Sequence, residues 1–257
     1  CCFGCPSGAK RSTDVSYLPA AMRAGAVVAH HARVEEVLVA GGRAVGVVAR
    51  AVGGAGAIGP RVRVLAKAVV LAAGAIGTPR ILLRQGLANR SGAVGRGLTI
   101  HPTGAAWARF GERIAGWEGI PQGYGVDEFV GEGIRFEGAF VPLDVAAATF
   151  AEVGPGWTDF IERFDHMACY GFMVTDTSRG RVSLAPDGSA LLTYRLNDAD
   201  RRRVLRGYGL LARLLLAAGA ETVHTGVRGY GRLASLDAVA RFEREAPDAV
   251  AAHRLDL

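Results

Sequence analysis

Gly54, Gly56 and Gly59 are spaced G-x-G-x-x-G, the spacing of a loop that cradles the pyrophosphate of a dinucleotide. That chemistry needs a strand feeding the turn and a helix leaving it, because the helix N-terminus supplies the N–H groups and the dipole that hold phosphate. Pro60 follows the last glycine, and RVRVLAKAVVLAAGA then alternates and runs apolar as a strand does. These glycines therefore read as a hairpin loop. Cys2 and Cys5 form a C-x-x-C beside Cys1, with Cys169 far away, and zinc would need a second ligand pair that is not spaced for it. A redox dithiol and a close-packed cluster of loop cysteines both stay open. His253 is the one histidine near the carboxyl end, and its ordinary reading is a surface side chain.

The elements around these residues are more legible. VEEVLVA (34–40) and AVGVVARAV (44–52) are strand-like and separated by Gly41 and Gly42, a hairpin signal; with the segment after Pro60 they predict a three-stranded meander. Upstream, Ser12 and Thr13 are candidate caps for a helix through AAMRAG, started or kinked by Pro19 and closed by Gly25. AVVAH (26–30) reads as a short strand. In AVVLAAGAIGTPRILLRQGL (68–87), Val69, Val70 and Leu71 predict a buried strand and Ala72 to Gly77 a small-residue turn at its carboxyl end. Thr78 and Pro79 then start a helix that packs Ile81, Leu82 and Leu83 inward. Small residues at such a turn let a ligand approach the backbone.

Further along, residues 180–186 and 190–196 predict two strands joined at Asp187 and Gly188. Asn197 or Asp198 caps a helix ending at Gly219, whose Val204, Tyr208, Leu211 and Leu215 recur at helical spacing as core. In residues 112–165, Trp117, Tyr124, Phe129, Phe136 and Trp157 either line a cavity or pack.

Composition narrows the function classes. The 257 residues are half hydrophobic, yet no uncharged apolar run reaches the roughly 20 residues that span a bilayer. The net charge is +6, but Lys10 and Lys67 are the only lysines and the one arginine cluster, Arg201–Arg203, suits an amphipathic helix face. Neither a nucleic-acid partner nor a membrane span is expected.

GAIGTPRILLRQGL (74–87), VGRGLTIHP (94–102) and SRGRVSLAPDGSALLTYRLNDADRRRV (178–204) occur in the order of three motifs of the glucose–methanol–choline (GMC) flavin oxidoreductases, and the chain resembles that family over nearly its whole length. CCFGCPSGAKRST (1–13) is most similar to the subgroup of long-chain alcohol oxidases and related dehydrogenases. Gln85, Gly86, Leu87 and Ala88 stand where the family usually has Ser-Gly-apolar-Gly, and Gly97 and Thr99 stand where Asn and Asp are commoner.

The resemblance implies a mixed α/β fold. Residues 1–102 would form part of a Rossmann-like FAD-binding domain with its meander, and residues 103–257 a substrate domain of antiparallel sheet and helices. It implies FAD as cofactor and a small-molecule alcohol as substrate. Val34 matches a position whose backbone meets the adenine edge, Ala73, Gly74 and Ala75 match the turn that approaches ribose and pyrophosphate, and His101 matches a residue beside the flavin ring. The family's first glycine turn and its H-x-x-G histidine segment have no counterpart in these residues. The chain accordingly reads as the interior of a longer enzyme, with no catalytic residue assigned and neither tight FAD binding nor alcohol oxidation expected of it alone.

Overall fold

A computed structural model describes residues 7–54 and 58–251. The chain divides into two units, one of Pro6–Leu98 with Arg179–Tyr194, the other of Thr99–Ser178 with Arg195–Leu257.

In the first unit a short helix, α1 (Tyr17–Arg23), has Pro19 in its first turn and ends before Gly25 at φ +93°. The meander follows as β1 (Ala32–Ala40), β2 (Arg43–Val52) and β3 (Ile58–Leu65), antiparallel in the order β1-β2-β3. Gly41 and Gly42 turn the first hairpin at φ +53° and +75°, the two left-handed positions that a type I′ turn requires. Arg50 crosses from β2 to Glu35 on β1 at 2.8 Å, and that hydrogen bond holds the Glu35 carboxyl below its usual range. After the meander comes α2 (Gly74–Gln85), then β4 (Arg96–Leu98). β9 (Gly180–Leu184) and β10 (Ala190–Thr193) complete this unit as a sheet ordered β10-β9-β4.

Three expectations change here. The 180–196 hairpin forms as predicted, but it pairs with β4 in the first unit: Leu98 stands opposite Gly180, and Val182 N–H donates to the Gly95 carbonyl at 2.7 Å. Residues 26–30 form no strand. Neither do Val69, Val70 and Leu71, and Val70 is 87% exposed. A strand exists only where a neighbour takes its N–H and C=O groups. Among the described residues no ladder reaches either segment, so β-propensity alone leaves them as coil.

The second unit is a six-stranded antiparallel sheet ordered β12-β11-β5-β8-β7-β6. Its members are β5 (Thr103–Arg109), β6 (Gly125–Val126), β7 (Ile134–Gly138), β8 (Met167–Val174), β11 (Thr222–Thr225) and β12 (Arg232–Leu233). Side chains alternate across it with period two. Ala106, Ala108, Phe136, Phe172, Val174 and Val223 face one core, covered by α5 (Asp198–Ala217) and α6 (Leu236–Ala251). Trp107, Phe140 and Met167 face a second, aromatic core closed by α3 (Leu143–Thr149) and α4 (Pro155–Glu162) through Phe160 and Ala146. Gly207 brings α5 close to the sheet, since a Cβ there would strike the Phe172 ring. The stripe Val204, Leu211 and Leu215 is buried as expected, and Gly219 at φ +98° ends α5 with Ala220 N–H on the Leu215 carbonyl.

The start of α5 is tied by a buried acid. Asn197 caps the helix, its side chain accepting the Asp200 N–H at 2.8 Å. Asp200 has no exposed surface, and its carboxylate accepts the N–H groups of Thr177 (2.9 Å) and Ser178 (2.7 Å), both their hydroxyls, and Arg203 at 2.6 Å. Ser178 Oγ in turn accepts the Asn197 N–H at 2.9 Å, so one hydroxyl links cap and acid. Burial alone would raise the Asp200 pKa, but the bonds from Ser178 and Thr177 outweigh it and bring it to about 2.

Candidate functional site

Of the residues the sequence singles out, Ala73, Gly74 and Ala75 occupy the amino terminus of α2. The helix starts four residues, about one turn, before the predicted Thr78, because Gly74 takes φ +74° and lets the chain enter early. Thr78 is not the cap; its hydroxyl reaches back to accept the Ala73 N–H at 3.0 Å. The Ala73 side chain makes no capping bond, the leading N–H groups after Ala73 have no intrahelical partners, and Ala73 to Ala75 are exposed. A Cβ at Gly74 would meet nothing within 4 Å. The space in front of this turn is open.

The carboxyl half of α2 is fixed. Arg80 donates to the Gly188 carbonyl at 3.0 Å, tying the helix to the β9–β10 turn. Gln85 faces the outer edge of β1, where its Oε1 accepts the Val37 N–H at 2.8 Å and its Nε2 donates to the Val37 carbonyl at 3.0 Å. One amide thus copies the hydrogen bonds of a neighbouring strand, at the position where the sequence departs from the family pattern. Val34, the predicted adenine contact, is half-buried on the same strand beside a bulge between Val34 and Glu36. The first unit therefore carries Val34 and the Ala73–Ala75 turn, linked through Gln85.

His101 belongs to the second unit, where it is exposed and lines a cavity of about 360 Å³ with Arg135, Ile134 and Met173. Gly54 stands in a 3-10 turn after β2 and Gly59 lies inside β3, which pairs antiparallel with β2, in agreement with the hairpin reading; Gly56 lies outside the described residues. Cys1, Cys2, Cys5 and His253 also lie outside them. Cys169 is free, and burial pushes its thiol up to about 12. Among the described residues no cluster of His, Cys, Asp or Glu is arranged to hold a metal, and no helix is long and apolar enough to cross a membrane.

Of the aromatic residues left open, Phe136 is core and Phe129 packs edge-on against it. Trp117 stacks on Phe164, and Trp157 donates to the Ala147 carbonyl at 3.0 Å. Tyr124 is exposed.

Sequence reasoning missed a second polar site. His224, on β11 opposite Trp107, has an 11%-exposed side chain whose Nδ1 lies 2.5 Å from Glu152 Oε1. Both line a cavity of about 250 Å³ with Phe150, Trp107 and Tyr208. The signal was absent because the partners are 72 residues apart and Glu152 comes from the α3–α4 loop, with no motif joining them.

Comparison with known proteins agrees with the motif order. Residues 1–103 match the family described as GMC oxidoreductase. The chain is 34% identical over 237 residues to an uncharacterised GMC-type oxidoreductase of Mycobacterium tuberculosis, covering 92% of this chain and 37% of that protein. It is 32% identical over 246 residues to an uncharacterised GMC-type oxidoreductase of Sinorhizobium fredii, covering 95% and 48%. With a long-chain-alcohol oxidase of Arabidopsis thaliana it shares 29% over 273 residues, covering 96% and 34%. The chain spans between a third and a half of the length of these relatives. With its three ordered motifs, its meander and these matches, the chain belongs to the GMC oxidoreductase family.

Proposed function

We propose that this chain carries cofactor-contacting and substrate-contacting parts of an FAD-dependent oxidoreductase that oxidises a small-molecule alcohol. Val34, Ala73, Gly74, Ala75 and His101 are the cofactor contacts; residues 1–102 serve the cofactor and 103–257 the substrate, except the β9–β10 hairpin, which belongs to the first unit. The observation that carries this reading is the exposed amino terminus of α2, with open space at Gly74, inside the segment that matches the family. Its residues fit the phosphate-bearing part of FAD: leading N–H groups after Ala73 without intrahelical partners, no side chain beyond a methyl at 73–75, and free space at Gly74. The names of the plant relatives favour an alcohol as substrate.

FAD, when bound, supplies the acceptor for the hydride that leaves the alcohol carbon. The chain's own part is binding. The dipole and N–H groups of α2 hold anionic oxygen atoms, Gly74 lets them reach the backbone, and Arg80 and Gln85 keep the helix from retreating. His101 presents an exposed imidazole at a cavity mouth, where it orients a polar edge. No residue of this chain is assigned to take the hydroxyl proton.

Flavin content of the protein expressed from its complete reading frame tests the reading. Gly74→Val places a branched side chain in the approach path and strains a left-handed residue by about 1–2 kcal/mol. The protein should purify pale, while Gly54→Ser in the β2–β3 loop should leave flavin content unchanged. Full flavin in Gly74→Val, or loss of flavin with the fold intact in Gly54→Ser, would overturn it.

A further inference from the structure

The second unit contains a polar pair that the cofactor reading does not use. Glu152 and His224 meet in the wall of the 250 Å³ cavity, whose other sides are Phe150, Trp107, Tyr208 and Ala151. The hydroxyls around it are committed elsewhere: Thr103 donates to the Phe172 carbonyl, Thr149 to the Val145 and Ala146 carbonyls, and Thr225 to the Tyr230 carbonyl. Tyr208 stands against Gly226 and is hydrogen-bonded with the Ala105 backbone. The protons of the threonine hydroxyls are thus used, and Glu152 supplies the one carboxylate acceptor in the cavity lining.

That carboxylate is held in place from two sides. In the neutral ring, His224 Nδ1–H donates to Oε1, and Nε2 faces the Thr222 hydroxyl at 3.2 Å, which fixes ring orientation. Oε2 lies against Gly156, in the first turn of α4, where any Cβ would displace it. Phe150 packs on the imidazole at 5.3 Å between ring centres. A carboxylate accepts up to four hydrogen bonds, so one from His224 leaves capacity for a ligand.

We propose that this cavity binds a compact neutral ligand with an aromatic or branched apolar body and one hydroxyl, which donates to Glu152, with His224 as the positioning residue. An anion is excluded by the carboxylate. A cation would compete with His224 for it, and no second acid lines the cavity. The inference rests on the proposed function, since the ligand it describes is an alcohol held by residues assigned to the substrate, and it needs no flavin to be tested.

Phenol and toluene are near-isosteric and differ in the donor, so they are the probes. Titrated into the 257-residue chain and followed by the His224 ring and Trp107 indole resonances, phenol should bind at least about tenfold more tightly than toluene, because a site built to pair a hydroxyl penalises its absence. Glu152→Leu should bring the two affinities within about twofold with toluene binding retained, and Glu152→Gln, which keeps an acceptor, should restore part of the preference. His224→Phe should also reduce the preference without abolishing toluene binding. Ala151→Trp, at the exposed wall position next to Glu152, should block both probes and provides a variant that leaves the core untouched. Equal affinities in the unmodified chain, no binding of either probe, a preference that survives Glu152→Leu, or unchanged binding in Ala151→Trp would each overturn the proposal.

Discussion

Replacing Asp200 tests whether a fully buried acid fixes the junction between the 175–178 loop and α5. The carboxylate receives two N–H groups and two hydroxyls from Thr177 and Ser178 as well as the Arg203 guanidinium. Asp200→Ala leaves these donors without their acceptor and Arg203 without its counter-charge; removing one partner of a buried, hydrogen-bonded charge costs about 3–5 kcal/mol. A second estimate comes from linkage. The pKa falls from 3.8 to about 2 in the folded state, which corresponds to roughly 2 kcal/mol at 1.36 kcal/mol per unit. Because the folded value is the lower one, this stabilisation is fully present above the unfolded value and disappears as pH falls from about 4 through 2.

The two figures differ because the mutation also orphans donors, whereas protonation keeps the side chain in place. Tryptophan fluorescence is the suitable probe: Trp107, Trp117 and Trp157 are the only tryptophans and all lie in the second unit, so urea unfolding read this way reports that unit alone. Asp200→Ala should lower its stability by about 3–5 kcal/mol at pH 7, and the difference from the unmodified chain should shrink below pH 4. A variant within 0.5 kcal/mol of the parent at pH 7, well under the roughly 3 kcal/mol expected, would refute the account of the knot. So would a difference that stays constant between pH 5 and pH 2.

Other measurements probe separate links. Gln85→Leu should expose the outer edge of β1, speed amide exchange at Val37 by at least about tenfold, and cost the first unit about 1–3 kcal/mol, the penalty for two orphaned backbone groups. Gly207→Val should destabilise the second unit by about 1–3 kcal/mol, because its side chain meets the Phe172 ring and α5 must move off the sheet. With its thiol held at about 12, Cys169 should resist iodoacetamide at pH 8 in the folded protein and alkylate only after denaturation, as peptide mass spectrometry would show.

Local chemistry made the turns and caps readable. Two adjacent glycines gave the β1–β2 hairpin, Asp187-Gly188 the β9–β10 turn, and Asn197 with Gly219 the two ends of α5, each because a short stretch holds the whole instruction. In the sequence, residues 73–75 read as a turn after a strand, with the helix starting at Thr78–Pro79, whereas Gly74 and Ala75 lie in the first turn of α2 itself. Partner choice was not legible. Gln85 looked like a departure from a family pattern, and only the fold shows that its amide completes the edge of β1. The Glu152–His224 pair joins a loop to a strand across 72 residues, which no periodicity records.

Residues 69–71 show where such reading ends in a physical sense. Val69, Val70 and Leu71 have the β-branched, apolar character of a strand buried on both faces, and α2 follows them as a helix follows a parallel strand. Propensity, however, decides only that a residue tolerates extension; the free energy of a strand comes from its ladder and from what covers its faces. Here the described residues offer no ladder, and the side chain in the middle of the segment is the most exposed of the three. The same argument explains the opposite outcome at β1, whose outer edge has no strand beside it yet remains ordered. One glutamine amide satisfies Val37 there and joins the strand to the helix that carries Gly74. The site proposed for the cofactor thus rests on an anchored helix, preceded by a segment whose backbone is still open to pairing.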